Sequence, residues 1–176
     1  MTTQILLSGF GGQGILFTGK FLAYKGLLAD KNVSWLPSYG PEMRGGTASC
    51  SVIVSDEEVG SPIISEPDVL IAMNLPSFEK FVPTVKAGGI VIADSSLIET
   101  KSDRTDIDIH YIPATSLASD MGKQSLANMI ILGKLLSVMK EYNEDEIKTV
   151  LSKVIPPKKA EMLEINMKAM KIGAEN

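Results

Sequence analysis

The sequence predicts an α/β fold: three layers around an open sheet, mostly parallel, with an antiparallel excursion after the second strand. Three observations predict it. The short apolar runs "QILLS" (4–8), "DVLIAMN" (68–74) and "IVIADSS" (90–96) end in small or polar residues and lead into glycine, turn or helix signals, the pattern of buried parallel strands. The run "TASCSVIVS" (47–55) alternates instead, with Ala48, Cys50, Val52 and Val54 on one face and Thr47, Ser49 and Ser51 on the other, as a half-buried strand does. Finally, 176 residues with 44% apolar content suffice for one core, and no repeat, low-complexity tract or linker divides them, so residues 1–176 are read as one domain.

Taken in order, "QILLS" enters "GFGGQG" (9–14) and then "ILFTGKFLAYKGLLAD" (15–30), where Ile15, Leu16, Leu22, Ala23 and Leu27 recur at helical spacing. "VSWLP" (33–37) is the second strand, and the strand-helix-strand order predicts a right-handed crossover to a parallel neighbour, a Rossmann-like beginning. "SYGPEMRGG" (38–46) then turns the chain into the alternating strand, and "VGSPII" (59–64) is expected to return as a short partner. A helix follows from Pro76 to Val85, since proline suits a first helical turn. "IDIHYIP" (107–113) is a further short strand.

From Ser125 to Lys140 the chain is apolar nearly all round, through Leu126, Met129, Ile130, Ile131, Leu132, Leu135 and Leu136, which fits a helix buried in the core or against a partner. The tail reads as a helical pair over about 143–173, broken at Pro156-Pro157. Asn143 with Glu146 forms a capping-box-like start, Ile147, Val150, Leu151 and Val154 form a stripe, and Gly173 is expected to terminate the last helix.

Composition excludes several classes. A net charge of −4 without a basic, aromatic-laced patch argues against nucleic acid. No apolar run reaches the roughly 20 residues of a membrane span, and the N-terminus lacks a basic leader, so a cytoplasmic protein is expected. One cysteine, Cys50, forms no internal disulfide and supplies no zinc or iron-sulfur ligand set, so redox centres must come from elsewhere.

The loop Gly9 to Gly14 has the spacing G-x-G-x-x-G. A dinucleotide site also needs an acid ending the second strand; here that strand ends "WLPSYG" and Asp30 precedes it, so an NAD site is not supported. What survives is a tight turn at Gly9, Gly11 and Gly12, an anion-attracting helix start after Gly14, and the Gln13 side-chain amide at its mouth. Close strand-helix packing explains the same glycines equally well.

Ligands in open α/β sheets gather beyond the strand carboxyl ends, which adds Asn74, Asp94 to Ser96 and Pro113 to Ser116. Asn74, Ser95 and Ser96 are candidate binding residues, although Asp94, Ser95 and Ser96 suit a turn cap as well. In "SYGPEMRGG", Tyr39, Glu42, Arg44, Gly45 and Gly46 combine an aromatic, opposite charges and permissive backbone; Arg44 either forks onto a phosphate or carboxylate or pairs locally with Glu42. No nucleophile-base pair or metal cluster is evident, so no catalytic or metal-ligating residue is assigned. His110 reads as a packed strand histidine, Cys50 as a buried hydrophobe, "KSDRTDID" (101–108) as a solvated loop, and Met162, Met167 and Met170 as packing residues.

Taken in sequence, "GFGGQG", "LPSYGPEMRGGTASCSVIVSD", "GSP", "PDVLIAMN" and "GGIVIADSS" resemble the gamma subunit of 2-oxoacid:ferredoxin oxidoreductases, equivalent to the gamma domain of single-chain pyruvate:ferredoxin oxidoreductase. The likeness is strongest over residues 4–96. It implies a subunit of a thiamine-diphosphate and iron-sulfur enzyme that oxidatively decarboxylates a 2-oxoacid, forms an acyl-CoA and reduces ferredoxin. It implies alpha, beta and ferredoxin-like partner subunits carrying the thiamine and cluster motifs, with this chain inactive alone. By the same resemblance, Gly9–Gly14 and Tyr39–Gly46 face the assembly and contribute to the CoA site, and "SYGPEMRGGTASC" is similar to the 2-oxoglutarate and branched-chain (2-oxoisovalerate) members. A non-catalytic CoA- or nucleotide-binding module and an assembly scaffold are the competing readings.

Overall fold

The computed structural model describes residues 1–38 and 47–176. Six strands form one sheet in the order β2-β3-β1-β4-β5-β6: β1 (Thr2–Phe10), β2 (Asn32–Ser38), β3 (Thr47–Ser55), β4 (Val69–Ala72), β5 (Ile90–Asp94) and β6 (Asp108–Ile112). β1, β4, β5 and β6 are successive parallel neighbours, and β3 runs antiparallel to both β1 and β2. The mostly parallel sheet with one antiparallel excursion is therefore as the sequence predicts.

The neighbours of β1 are not. The expected β1-β2 pair is absent because β3 lies between them, in register from Thr2↔Ser55 to Phe10↔Thr47 on one side and Asn32↔Ser55 to Ser38↔Ser49 on the other. A half-buried strand as long as β3 can satisfy its backbone groups on both edges, and it does so here. "VGSPII" forms no strand, and residues 56–68 cross back without one. The remaining edge of β1 is taken by β4 through Ile5↔Val69 to Ser8↔Ala72, so no partner is left for it.

Helix α1 (Ile15–Leu28) lies on β3. The contact is close because two of its inward positions lack a side chain: a Cβ at Gly19 would sit 2.5 Å from Cys50 Sγ, and one at Gly26 would sit 2.9 Å from Val33 Cγ2. The buried stripe thus runs Ile15, Thr18, Gly19, Phe21, Leu22, Ala23, Gly26, and Leu27, assigned to it from spacing, points out at 55% exposure. α2 (Leu75–Phe81) stops four residues short of the expected Val85 and tightens into a 3-10 turn at Val82–Thr84. Pro83 is the cause, since it lacks the N–H for the next helical bond and crowds the preceding turn.

α3 (Ala114–Asp120), α4 (Ala127–Val138), α5 (Glu144–Val154) and α6 (Met162–Glu175) join α1 over one sheet face, around Leu7, Phe21, Ile71, Ile92 and Ile130. α2 covers the other face against Leu6, Leu70, Val91 and Ile98. These are the three layers. The apolar α4 is covered by its own chain, between the sheet and α6. Asn143 caps α5 as expected, accepting from Glu146 N at 2.9 Å. Gly173 does not end α6, which continues to Glu175. Its lack of a side chain serves packing: a Cβ there would fall on the Ile130 carbonyl, and a Cβ at Gly133 on the Met170 carbonyl.

Candidate functional site

The glycine loop begins one step later than its spacing suggests, because Gly9 and Phe10 are still in β1, paired with Ala48 and Thr47. The turn closes when Gln13 N donates to Phe10 O at 3.2 Å. Gly12 (φ 89°) and Gly14 (φ 76°) take left-handed backbone that costs a residue bearing a Cβ roughly 1–2 kcal/mol.

Gln13 departs from expectation. Its Oε1 accepts from Phe10 N at 2.6 Å, and its Nε2 donates to Met73 O at 3.1 Å. Both ends of the amide are therefore spent inside the protein, strapping the loop to the end of β4. Gly9 makes room for the strap, since a Cβ there would lie 2.6 Å from Gln13 Oε1 and 3.0 Å from Met73 Cβ. Gln13 is a positioning residue for the loop rather than a free donor at its mouth.

On the other side, Asn128 Nδ2 donates to Gly14 O at 3.2 Å and to Thr18 Oγ1 at 3.3 Å, fixing the start of α1 to α4. A Cβ at Gly14 would overlap the Asn128 amide. Among the described residues no side chain caps α1, so the amides of its first turn face outward with the partial positive charge of a helix start.

The loop that leads into this helix borders a cleft of about 350 Å³. Gly11, Gly12 and Gln13 form one wall, Met73 and Leu97 mark the ends of β4 and β5, and Thr115 and Ser125 close the opposite side. The cleft lies where chain connections leave β1 and β4 to opposite faces of the sheet, the position at which open α/β sheets bind ligands. It is lined by no ionisable side chain among the described residues.

The remaining candidates act as fasteners. Asn74, 1% exposed, caps α2 by accepting from Ser77 N at 2.9 Å; it does not line the cleft. Its Nδ2 finds no partner among the described residues. Asp94 is fully buried and accepts from Ser96 N (3.0 Å), Thr115 N (3.3 Å) and Thr115 Oγ1 (2.5 Å). Ser95 N donates to Ile112 O at 2.9 Å, and Ser96 Oγ accepts from Ser116 N at 3.0 Å. Together they bind the end of β5 to α3 and set Thr115 on the cleft wall. Of the two readings for residues 94–96, the cap is the one the hydrogen bonds form. Tyr39, Glu42, Arg44, Gly45 and Gly46 lie outside the described residues.

Sequence reasoning placed the cleft's strand-end half, including the Pro113–Ser116 rim, but not Leu97 or the wall at Gln124 and Ser125. That wall enters from the turn before α4, held there by long-range contacts such as the Asn128 bonds to Gly14 O and Thr18 Oγ1. Cys50 is buried at the centre of β3, where burial pushes its thiol up to about 12, with the Trp35 indole as a smaller opposing influence. The arm at 101–108 is more ordered than a solvated loop: Arg104 pairs with Asp106 and donates to Val82 O and Val85 O at 2.9 and 2.8 Å. Among the described residues no cluster of His, Cys, Asp and Glu could hold a metal ion, and no helix is long and apolar enough to cross a membrane.

A three-layer α/β domain with a glycine turn strapped beside a cleft at its strand ends defines the class of protein. The chain belongs to the pyruvate ferredoxin/flavodoxin oxidoreductase family, whose pattern matches residues 4–176. It is 35% identical over 173 residues to ketoisovalerate oxidoreductase subunit VorA of Methanothermobacter marburgensis, covering 98% of this chain and 36% of VorA. The chain thus spans about a third of that relative's length. It is 36% identical over 159 residues to 2-oxoglutarate synthase subunit KorC of Methanocaldococcus jannaschii, covering 89% and 85% of the two chains.

Solved structures agree. The gamma subunit of a keto/oxoacid ferredoxin oxidoreductase from Geobacter sulfurreducens superimposes with a TM-score of 0.84 at 26% identity, over 99% of this chain and 95% of that one. A 2-oxoglutarate:ferredoxin oxidoreductase from Magnetococcus marinus, with 2-oxoglutarate, coenzyme A and succinyl-CoA bound, gives 0.85 at 27%, over 99% of this chain and 31% of that one. The family read from the motifs is therefore the family found.

Proposed function

We propose that this chain is the gamma subunit of a 2-oxoacid:ferredoxin oxidoreductase and lends one wall to its CoA site. The enzyme converts a 2-oxoacid and CoA to an acyl-CoA and carbon dioxide while two electrons pass to ferredoxin. 2-Oxoglutarate is the favoured substrate and 2-oxoisovalerate the next, in keeping with the names of the relatives KorC and VorA. The observation that carries the reading is the cleft at the carboxyl ends of β1 and β4, walled by the glycine loop that leads into α1 and that the Gln13 strap holds, in a chain of this family.

The residues sort the enzyme's cofactors. An iron-sulfur cluster needs several thiolates; this sequence has one cysteine, and Cys50 is buried and held protonated, so the clusters do not fit here. Among the described residues the cleft offers no carboxylate to hold the metal of thiamine diphosphate, which also belongs to partner chains in this reading. CoA does fit. Its phosphates suit the uncapped amides of α1, and Gly12 has open space where a side chain would otherwise project. CoA supplies the thiol that accepts the acyl group; this chain binds and orients it and helps keep water from the site.

The scaffold reading has its own support in Gly9 and Gly14, whose side-chain positions are filled by Gln13 and Asn128. Reconstitution separates the two. Purified thiamine and cluster subunits are assayed for 2-oxoacid- and CoA-dependent ferredoxin reduction with and without this chain. The reading requires association and a large gain in activity; undiminished activity without the chain would end it. If the chain is needed only to keep the partners together, with the KM for CoA insensitive to every cleft substitution, the scaffold reading replaces it.

A further inference from the structure

Ser125 lines a second cleft, of about 440 Å³, on the far side of the turn that walls the first. Its floor is apolar, with Phe17, Ile155 and Pro156, and two lysines, Lys20 and Lys159, line it without any carboxylate among its described lining residues. Lys123 stands close by, its Nζ 3.4 Å from Sδ of Met162, another lining residue. None of the three lysines forms an ion pair among the described residues, whereas Lys25, Lys31, Lys86 and Lys171 do. In a chain of net charge −4 this is a local reversal of sign.

The polar part of the wall is built in. Asn128 is 5% exposed and Asn166 7%; Asn128 is the residue whose amide ties Gly14 to α4. The amide nitrogens are engaged, Asn128 Nδ2 with Gly14 O and Thr18 Oγ1, and Asn166 Nδ2 with Met162 O at 2.7 Å. Both side chains nevertheless line the cleft. Ser125 is the residue the two clefts share, and Asn128, three residues on, lines the second and is tied to the start of α1. Each cleft falls within the roughly 300–1,000 Å³ of small-ligand pockets.

We infer that the second cleft takes the phosphorylated nucleoside end of CoA, with Lys20 and Lys159 facing its 3′-phosphate, while the diphosphate lies in the first cleft against Gly11 and Gly12, on the other side of Ser125. This rests on the proposed CoA contact and adds which end of the molecule each cleft receives. An apolar floor suits a base, and two unpaired ammonium groups on flexible stems suit a phosphate reached as a point charge. The lysines are then specificity residues: they recognise CoA over the same molecule lacking its 3′-phosphate.

The test uses the assembled complex and two readouts. Calorimetry with adenosine 3′,5′-bisphosphate measures the site without turnover, and the ratio of KM for 3′-dephospho-CoA to KM for CoA measures the discrimination. The double variant Lys20→Glu/Lys159→Glu should weaken bisphosphate binding by about tenfold or more and bring that ratio close to one, through the KM for CoA. Lys20→Arg/Lys159→Arg should retain both. If the wild-type complex turns over with CoA but binds no bisphosphate, or the Glu variant leaves affinity and ratio within about twofold of wild type, the inference is overturned and the gamma-subunit reading stands. Absence of CoA-dependent ferredoxin reduction in a complex containing this chain would overturn both.

Discussion

Two regions of this molecule are built on glycine and use it in opposite ways. At the α4–α6 crossing, Gly133 and Gly173 sit in ordinary helix, and each removes a side chain that would collide with the backbone of the other helix. In the loop between β1 and α1, Gly12 has nothing among the described residues within 4 Å of its absent Cβ, and its φ is 89°. One region uses glycine to exclude space and the other to leave it. Gly9 and Gly14 stand between, each making way for one amide side chain, Gln13 or Asn128. A glycine that excludes space identifies packing; one that leaves space is what the proposed CoA contact requires.

Substitutions should separate the regions by size of effect. Gly133→Ala or Gly173→Ala drives a methyl into backbone that cannot swing aside, and should cost about 3 kcal/mol or prevent folding, read from urea unfolding of the full chain. Gln13→Ala removes two hydrogen bonds and leaves Met73 O without that donor, for about 1–2 kcal/mol. It should also raise the KM for CoA in the complex, since the loop loses its strap. Gly12→Ala meets no atoms of the described residues and should cost only about 1 kcal/mol, the strain of its backbone. A loss as large as at Gly133 would erase the distinction drawn between the two regions.

Smaller effects sharpen the backbone half of the comparison. Asp30 also holds left-handed φ, 59°, just past α1, so Asp30→Gly should be neutral to stabilising by about 0.5 kcal/mol. Away from both regions, Lys31 and the N-terminal ammonium hold the Asp56 carboxyl down at about 2. Its folded value lies below the unfolded one, so its contribution is present above about pH 3.8 and is lost as pH falls toward 2. Asp56→Asn should flatten acid unfolding slightly in that window and nowhere else.

Much of the fold was legible. Apolar runs ending in small residues marked β1, β4 and β5, and alternation marked β3, because burial on one or two faces writes itself directly into residue type. Pairing was less legible. That β3 enters between β1 and β2 depends on hydrogen bonds between distant segments, which no local pattern in "VSWLP" records. Gly173 looked like a helix end because a glycine near a chain terminus often is one; its reason for being there is Ile130, 43 positions earlier in the chain.

The site divides similarly. Gly9–Gly14 and the strand ends followed from spacing and from where open sheets bind. The Gln13 strap, Asp94 with Thr115, and the Ser125 wall depend on partners from other segments. "SYGPEMRGG" carried much of the resemblance, yet from Tyr39 to Gly46 it lies outside the described residues, so the described site rests on the glycine loop and its neighbours.

The central claim is that the open side of Gly12 faces the phosphates of CoA, and a matched pair of variants tests it most directly. Asn and Asp both tolerate left-handed backbone and are nearly equal in size, so Gly12→Asn and Gly12→Asp differ essentially by one negative charge. In complexes shown to retain this chain equally, the Asp variant should show a KM for CoA about tenfold above that of the Asn variant, with the KM for the 2-oxoacid the same in both. Equal KM values for CoA in the two variants would contradict the claim and leave the glycine loop as packing alone.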